Sequence, residues 1–169
     1  MTEAEASTEV PGAGQRIGGA LRTLVGAVTL VGALTWILLN LQGPHPLQDL
    51  LVGFVLGLGA LVLVMPHRVS LPGRRTAMVT GVTAVVGTLA GLLVETGWMG
   101  GAYAYAITRG WPYAWLSKGG VGGDPAAARS LAEASSWQWD VVNLGVDFYI
   151  WGFAGLLVAV AINKGRFRP

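Results

Sequence analysis

Four long apolar runs alternate with short polar or basic segments along this chain. They cover residues 23–41, 48–66, 77–98 and 141–163. A helix needs roughly 20 apolar residues to cross the hydrocarbon core of a bilayer. The first two runs reach that length with almost no charge, and Pro46 suits the first turn of the second. The third contains Glu95 and the fourth contains Asp147. Each run is continuously apolar, without the period-two alternation of a barrel strand. The pattern predicts an all-α integral membrane four-helix bundle, with one long loop, residues 100–140, between helices three and four.

The organisation that follows is a disordered tail over residues 1–20 and a single transmembrane domain over residues 21–165. The tail carries Glu3, Glu5 and Glu9, the wrong sign for the basic start of a signal peptide. Asn-Leu-Gln-Gly-Pro follows the first run where a small-residue cleavage site would stand. The first run is therefore expected to be retained as a membrane helix.

Charge sets the orientation. Short cytoplasmic segments hold an excess of Lys and Arg. Arg16 and Arg22 precede helix one, Arg68, Arg74 and Arg75 join helices two and three, and Lys164, Arg166 and Arg168 follow helix four. These three regions fall on one side of a four-span protein. They total eight bases and three acids, whereas the other side has three bases and six acids. Both termini are expected in the cytoplasm of a plasma-membrane protein, with the long loop outside. The bilayer is then the first partner, and a membrane protein or a second copy of the chain is the next.

Composition supports this reading and excludes others. Of 169 residues, 53% are apolar and only 12% charged, against about a quarter charged in soluble domains. Mean hydropathy is +0.56. A net charge of +2, with no basic helix face, leaves no footprint for nucleic acid. The absence of cysteine removes disulfides, thiolate metal sites and a cysteine nucleophile. The two histidines, His45 and His67, fall at opposite membrane faces, so no metal site or cofactor is expected.

The outer loop is dense in aromatic residues. Trp111, Tyr113, Trp115, Trp137 and Trp139 are candidates for an interface surface, either in the headgroup layer or against a lipid, glycan or protein. Gly119, Gly120, Gly122 and Gly123 read as a flexible stretch. Asp124-Pro125 reads as an N-cap and first-turn proline ahead of a short surface helix over residues 126–135.

Small residues mark helix contacts in lipid. Gly53-x-x-x-Gly57, Gly87-x-x-x-Gly91 and the trio Gly145, Gly152 and Gly155 predict a compact bundle with helix three near its centre. An ionisable residue within a span costs roughly 2.5–3.5 kcal/mol at the bilayer centre and is a functional candidate by default. Glu95 and Asp147 are the two in view. Asp140, Asn143 (or Leu144), Asp147 and Trp151 recur at intervals of three or four and so share one helix face. If helices one, three and four meet, Asn40, Glu95, Asn143 and Asp147 form a candidate intramembrane polar site open to the outside. Such a group would share a proton or hold a cation. No nucleophile elbow, phosphate loop, zinc motif or dinucleotide fingerprint occurs.

The stretch LTWILLNLQGPHPLQDLLVGFVLGLGALVLVMPHR, residues 34–68, resembles the opening of the E-type component of multi-subunit sodium/proton antiporters. The matching pieces are Trp36-Ile37-Leu38-Leu39 and Gly53-Phe54-Val55-Leu56-Gly57. They cover about a fifth of the chain, and no functional residue is carried over from them. That family continues into a cytoplasmic domain with a Thr-Pro-Gly-Thr-type motif, which this chain lacks. The second half is of the kind found in small bacterial membrane proteins. The sequence thus points to a non-catalytic membrane accessory or interaction protein. The rivals are a small oligomeric transporter or ion-coupled protein using Glu95 and Asp147, and a membrane enzyme acting on lipid at the outer face.

Overall fold

A computed structural model describes residues 13–65, 73–101 and 103–165. In chain order these form α1 (Ala13–Asn40), α2 (Pro46–Val64), α3 (Gly73–Gly91), β1 (Glu95–Gly100), β2 (Ala104–Arg109), β3 (Leu116–Val121), α4 (Pro125–Ala134), β4 (Gln138–Trp139) and α5 (Val141–Gly165). The protein is mostly helical, and three helices are long and apolar enough to cross a membrane: Ile17–Asn40, Pro46–Val64 and Val141–Asn163. Helix α3 equals α2 in length, but Arg74, Arg75 and four threonines make it the least apolar of the long helices.

The distribution of size across the bundle is inverted relative to a soluble domain. Apart from Val52, the buried apolar side chains of α1, α2 and α3 are alanines: Ala33, Ala60 and Ala84 are each at most 2% exposed. Large apolar side chains point outward instead: Val28, Leu38 and Leu47 are 65%, 72% and 81% exposed. Water would penalise such a surface, whereas lipid tails are as apolar as leucine. Close backbone approach explains the small interior. A Cβ on Gly26 would meet Leu63 and Val64 at 2.9 Å, and one on Gly155 would meet Thr80 and Thr83 at 2.8 Å. Arg22 reaches across the α1–α2 pair to donate to the Val62 carbonyl at 3.0 Å. It thereby satisfies an orphan carbonyl near the negative end of α2.

Several expectations need correction. Helix α3 does not run to residue 98. After Gly91 the chain unwinds through i→i−3 bonds from Leu92, Leu93 and Val94, and then enters β1. A side chain at Gly91 would strike the Trp111 backbone at 2.8 Å, so the packing there requires glycine. Helix three is also peripheral: α3 packs on α5, α1 packs on α2, and the α2–α5 contact joins the two pairs. Helix α1 starts at Ala13, inside the stretch expected to be disordered; residues 1–12 lie outside the described residues. So do Arg68, His67, Arg166 and Arg168 from the basic segments.

The segment expected as a long loop is a folded cap. Its four strands form an antiparallel sheet in the order β1-β2-β3-β4, with Glu95 opposite Arg109 and Ile107 opposite Lys118. Helix α4 lies across β2 and β3. Its expected N-cap is present: Asp124 accepts from the Ala127 N–H at 2.8 Å. Of the glycines read as flexible, Gly119, Gly120 and Gly122 are contact residues, while a Cβ on Gly123 would meet nothing within 4 Å. Gly119 and Gly120 belong to β3, and a Cβ on Gly120 would lie 2.5 Å from Ala132 N and 2.7 Å from Ala128 O. Ala128 and Ala132 press onto the sheet with no exposure at all.

Candidate functional site

Between β2 and β3 the chain dips into the helix bundle over residues 110–115, and side chains from three helices capture it. Gly110 turns the chain at φ +128, a region that favours glycine. Irregular backbone packed among helices must have its polar groups satisfied by protein or water. Here Trp151 Nε1 donates to the Trp111 carbonyl at 3.3 Å, and Gln48 Nε2 donates to the Pro112 carbonyl. Asn143 Nδ2 donates to the Ala114 carbonyl at 2.9 Å. Asp147 Oδ1 accepts from the Tyr113 N–H at 3.0 Å.

Asp147 is fully buried, and its Oδ2 has no hydrogen-bond partner among the described residues. It stands six residues past Val141, about 9 Å along the axis from the start of α5 at 1.5 Å per residue. Tyr113 continues the network from its other end. Its hydroxyl donates to Asp49 Oδ1 at 3.1 Å, where Trp36 Nε1 also donates at 3.2 Å. The Trp36 and Tyr113 rings meet edge to face at 5.8 Å. Burial pushes the Tyr113 hydroxyl well above the usual tyrosine range, and the Asp49 carboxylate that accepts its proton pushes it further. Helices α1, α2 and α5 are thus tied to the cap through one loop.

A second feature lies above this anchor. Strand alternation turns Arg109 and Lys118 toward the α4 side of the sheet, together with Glu95, Tyr105 and Ile107. With Arg129, Glu133 and Trp137 they line a polar cleft of about 380 Å³. Arg109 pairs with Glu95 at 2.6 Å and Arg129 with Glu133 at 2.8 Å. Lys118 Nζ donates to the Glu133 main-chain carbonyl at 2.9 Å. The Trp137 ring carries both Lys118 Nζ, at 5.0 Å, and the Arg109 guanidinium, at 5.1 Å.

The residues singled out in the sequence divide between these places. Asn143 and Asp147 share the anchor. Among the described residues the Asn40 side chain donates to Trp36 O in its own helix, and Glu95 sits on β1, so the four do not converge. Among the aromatics, Trp115 is 3% exposed and packs at 5.5 Å on Trp139, which is 65% exposed. Trp111 and Tyr113 belong to the anchor, and Trp137 belongs to the cleft. Asp49, Gln48 and Trp36 were missed, whereas Trp151 reaches the loop from the helix face it shares with Asn143 and Asp147. Starting the second helix at Pro46 already puts Asp49 within a span, which was the available signal. Among the described residues no three His, Cys, Asp or Glu side chains gather as a metal site. No family model, curated protein or solved structure matches this chain.

Proposed function

We propose that this chain is a non-catalytic accessory or interaction protein of the plasma membrane. In this reading α1, α2, α3 and α5 all span, both termini are cytoplasmic, and the cap is an outer recognition module. Sidedness of charge supports the orientation. The membrane role of α3 is supported by its packing along α5, which covers part of its polar face; Thr88 there is 5% exposed.

The observation that carries the interaction role is the free edge of β1. The strand stands at the end of the sheet, and all of its residues from Glu95 to Met99 are exposed. An unpaired edge presents main-chain donors and acceptors to another strand. Trp98 and Met99 add exposed apolar surface, at 57% and 53%. The anchor loop holds this edge at a fixed place above the bundle. The transporter reading draws no support from the placement of its residues: Glu95 pairs with Arg109 on the cap, while Asp147 is enclosed below. The resemblance over residues 34–68 falls largely on α1 and α2 and does not include the cap.

Photo-crosslinking in native membranes tests the proposal. A crosslinker at position 98 should give one discrete adduct, and one at the exposed position 131 on α4 should not. Recovery of the uncrosslinked monomer alone from both positions would contradict the interaction role.

A further inference from the structure

The cleft under α4 has a charge arrangement that the fold itself does not resolve. Lys118 and Arg109 are diagonal neighbours on adjacent strands, because Lys118 lies opposite Ile107 and both side chains take the same sheet face. Like charges so placed repel. Arg129 brings a third cation from α4, while the acids lining the cleft are only Glu95 and Glu133. Each of these acids is already engaged by one arginine. Lys118 has a neutral carbonyl and an aromatic ring around it, but no carboxylate within ion-pair distance among the described residues. Its ammonium is therefore uncompensated in a half-buried setting.

We propose that this cleft binds a phosphate group, with Lys118 as its principal charge contact and Arg109 and Arg129 completing the cradle. Arg109 spends Nε and Nη2 on Glu95, and Arg129 spends Nε on Glu133, so both guanidiniums keep donors free. A tetrahedral oxyanion has enough acceptors to take one bond from each of the three cations, which a single carboxylate does less well. The volume of about 380 Å³ accommodates a phosphate ester with its substituent. Ile107, 7% exposed, forms an apolar floor. The group arrives either on a soluble phosphate compound or on a lipid headgroup. This inference goes beyond the interaction role, since it uses the α4 side of the sheet and needs nothing at the β1 edge.

Isothermal titration calorimetry on the full chain in a phosphate-free, uncharged detergent tests it. One arm uses inorganic phosphate, and the other uses a short-chain phosphatidylglycerol below its micelle concentration. Saturable binding in either arm, weakened at least tenfold by Lys118→Gln in protein with an unchanged near-ultraviolet circular dichroism spectrum, supports the site. Binding in the first arm names a soluble source, and binding only in the second names a headgroup. If Lys118→Gln loses the native spectrum, Arg129→Gln decides on the same terms. No binding in either arm, or equal binding by the folded variant, overturns the inference.

Discussion

Replacing Gly120 with alanine separates two views of the glycine-rich segment by the sign of the effect. In a flexible loop, Gly→Ala stabilises by about 0.4–1 kcal/mol, because the unfolded chain loses freedom. In the observed packing the new Cβ would lie 2.5 Å from Ala132 N, 2.7 Å from Ala128 O and 2.7 Å from Leu131 Cβ. Two of these are main-chain atoms of α4, so no rotamer change relieves the clash. Restoring an ordinary 3.4 Å contact moves the helix by most of an ångström from the sheet, and Ala128 and Ala132 lose their seat. Overpacking of this kind costs about 1–3 kcal/mol. Hydrogen–deuterium exchange of residues 125–134 reads it locally, and at about 2 kcal/mol the α4 amides exchange roughly 30-fold faster. Gly123→Ala is the control, since a Cβ there meets nothing within 4 Å. Exchange in Gly120→Ala as slow as in the parent protein would refute the account of how the cap is built.

The anchor loop makes two further predictions. Asp147→Ala leaves the half-buried Tyr113 N–H without its acceptor, and should lower thermal stability in detergent by about 1–3 kcal/mol. Asn40→Ala, which removes an exposed bond within one helix, should change it by less than about 0.5 kcal/mol; equal effects would count against the anchor. The second prediction concerns alkali. Tyr113 is held protonated by burial and by Asp49, while in the unfolded chain it ionises near 10.0. Its contribution is complete below that pH and is lost as pH rises above it, because only the unfolded state releases the proton. Thermal melts between pH 9 and 11 should show a steeper decline for the parent than for Tyr113→Phe, and parallel declines would be contrary.

Much of the bundle is legible in the sequence because helices long and apolar enough to cross a membrane leave long uninterrupted signals. Pro46 at the head of α2, Asp124 at the head of α4 and the shared face of Asn143 and Asp147 are likewise local features, and the structure has all three. The cap is not legible, for identifiable reasons. Leu92, Leu93 and Val94 continue the apolar run past Gly91, so hydropathy does not register the change from helix to strand. What ends the helix is the Trp111 backbone, twenty positions away in sequence. Strand β2, Ala-Tyr-Ala-Ile-Thr-Arg, shows only weak alternation, because α4 covers one of its faces with alanines. Gly120 looks like slack until its distant neighbour is known. Asp49 escaped because first-turn acids ordinarily complement the helix dipole at the water boundary. Here the Tyr113 loop and Trp36 shut it in, leaving it 8% exposed.

The central claim is that lipid surrounds the bundle while the cap stands outside the cell. The chain contains no cysteine, so single introduced thiols report position without background. Leu131→Cys, on the exposed side of α4, should react with a membrane-impermeant maleimide on intact cells, and Gly73→Cys, at the start of α3, only after permeabilisation. The reverse pattern, or equal labelling of both in intact cells, would contradict the account.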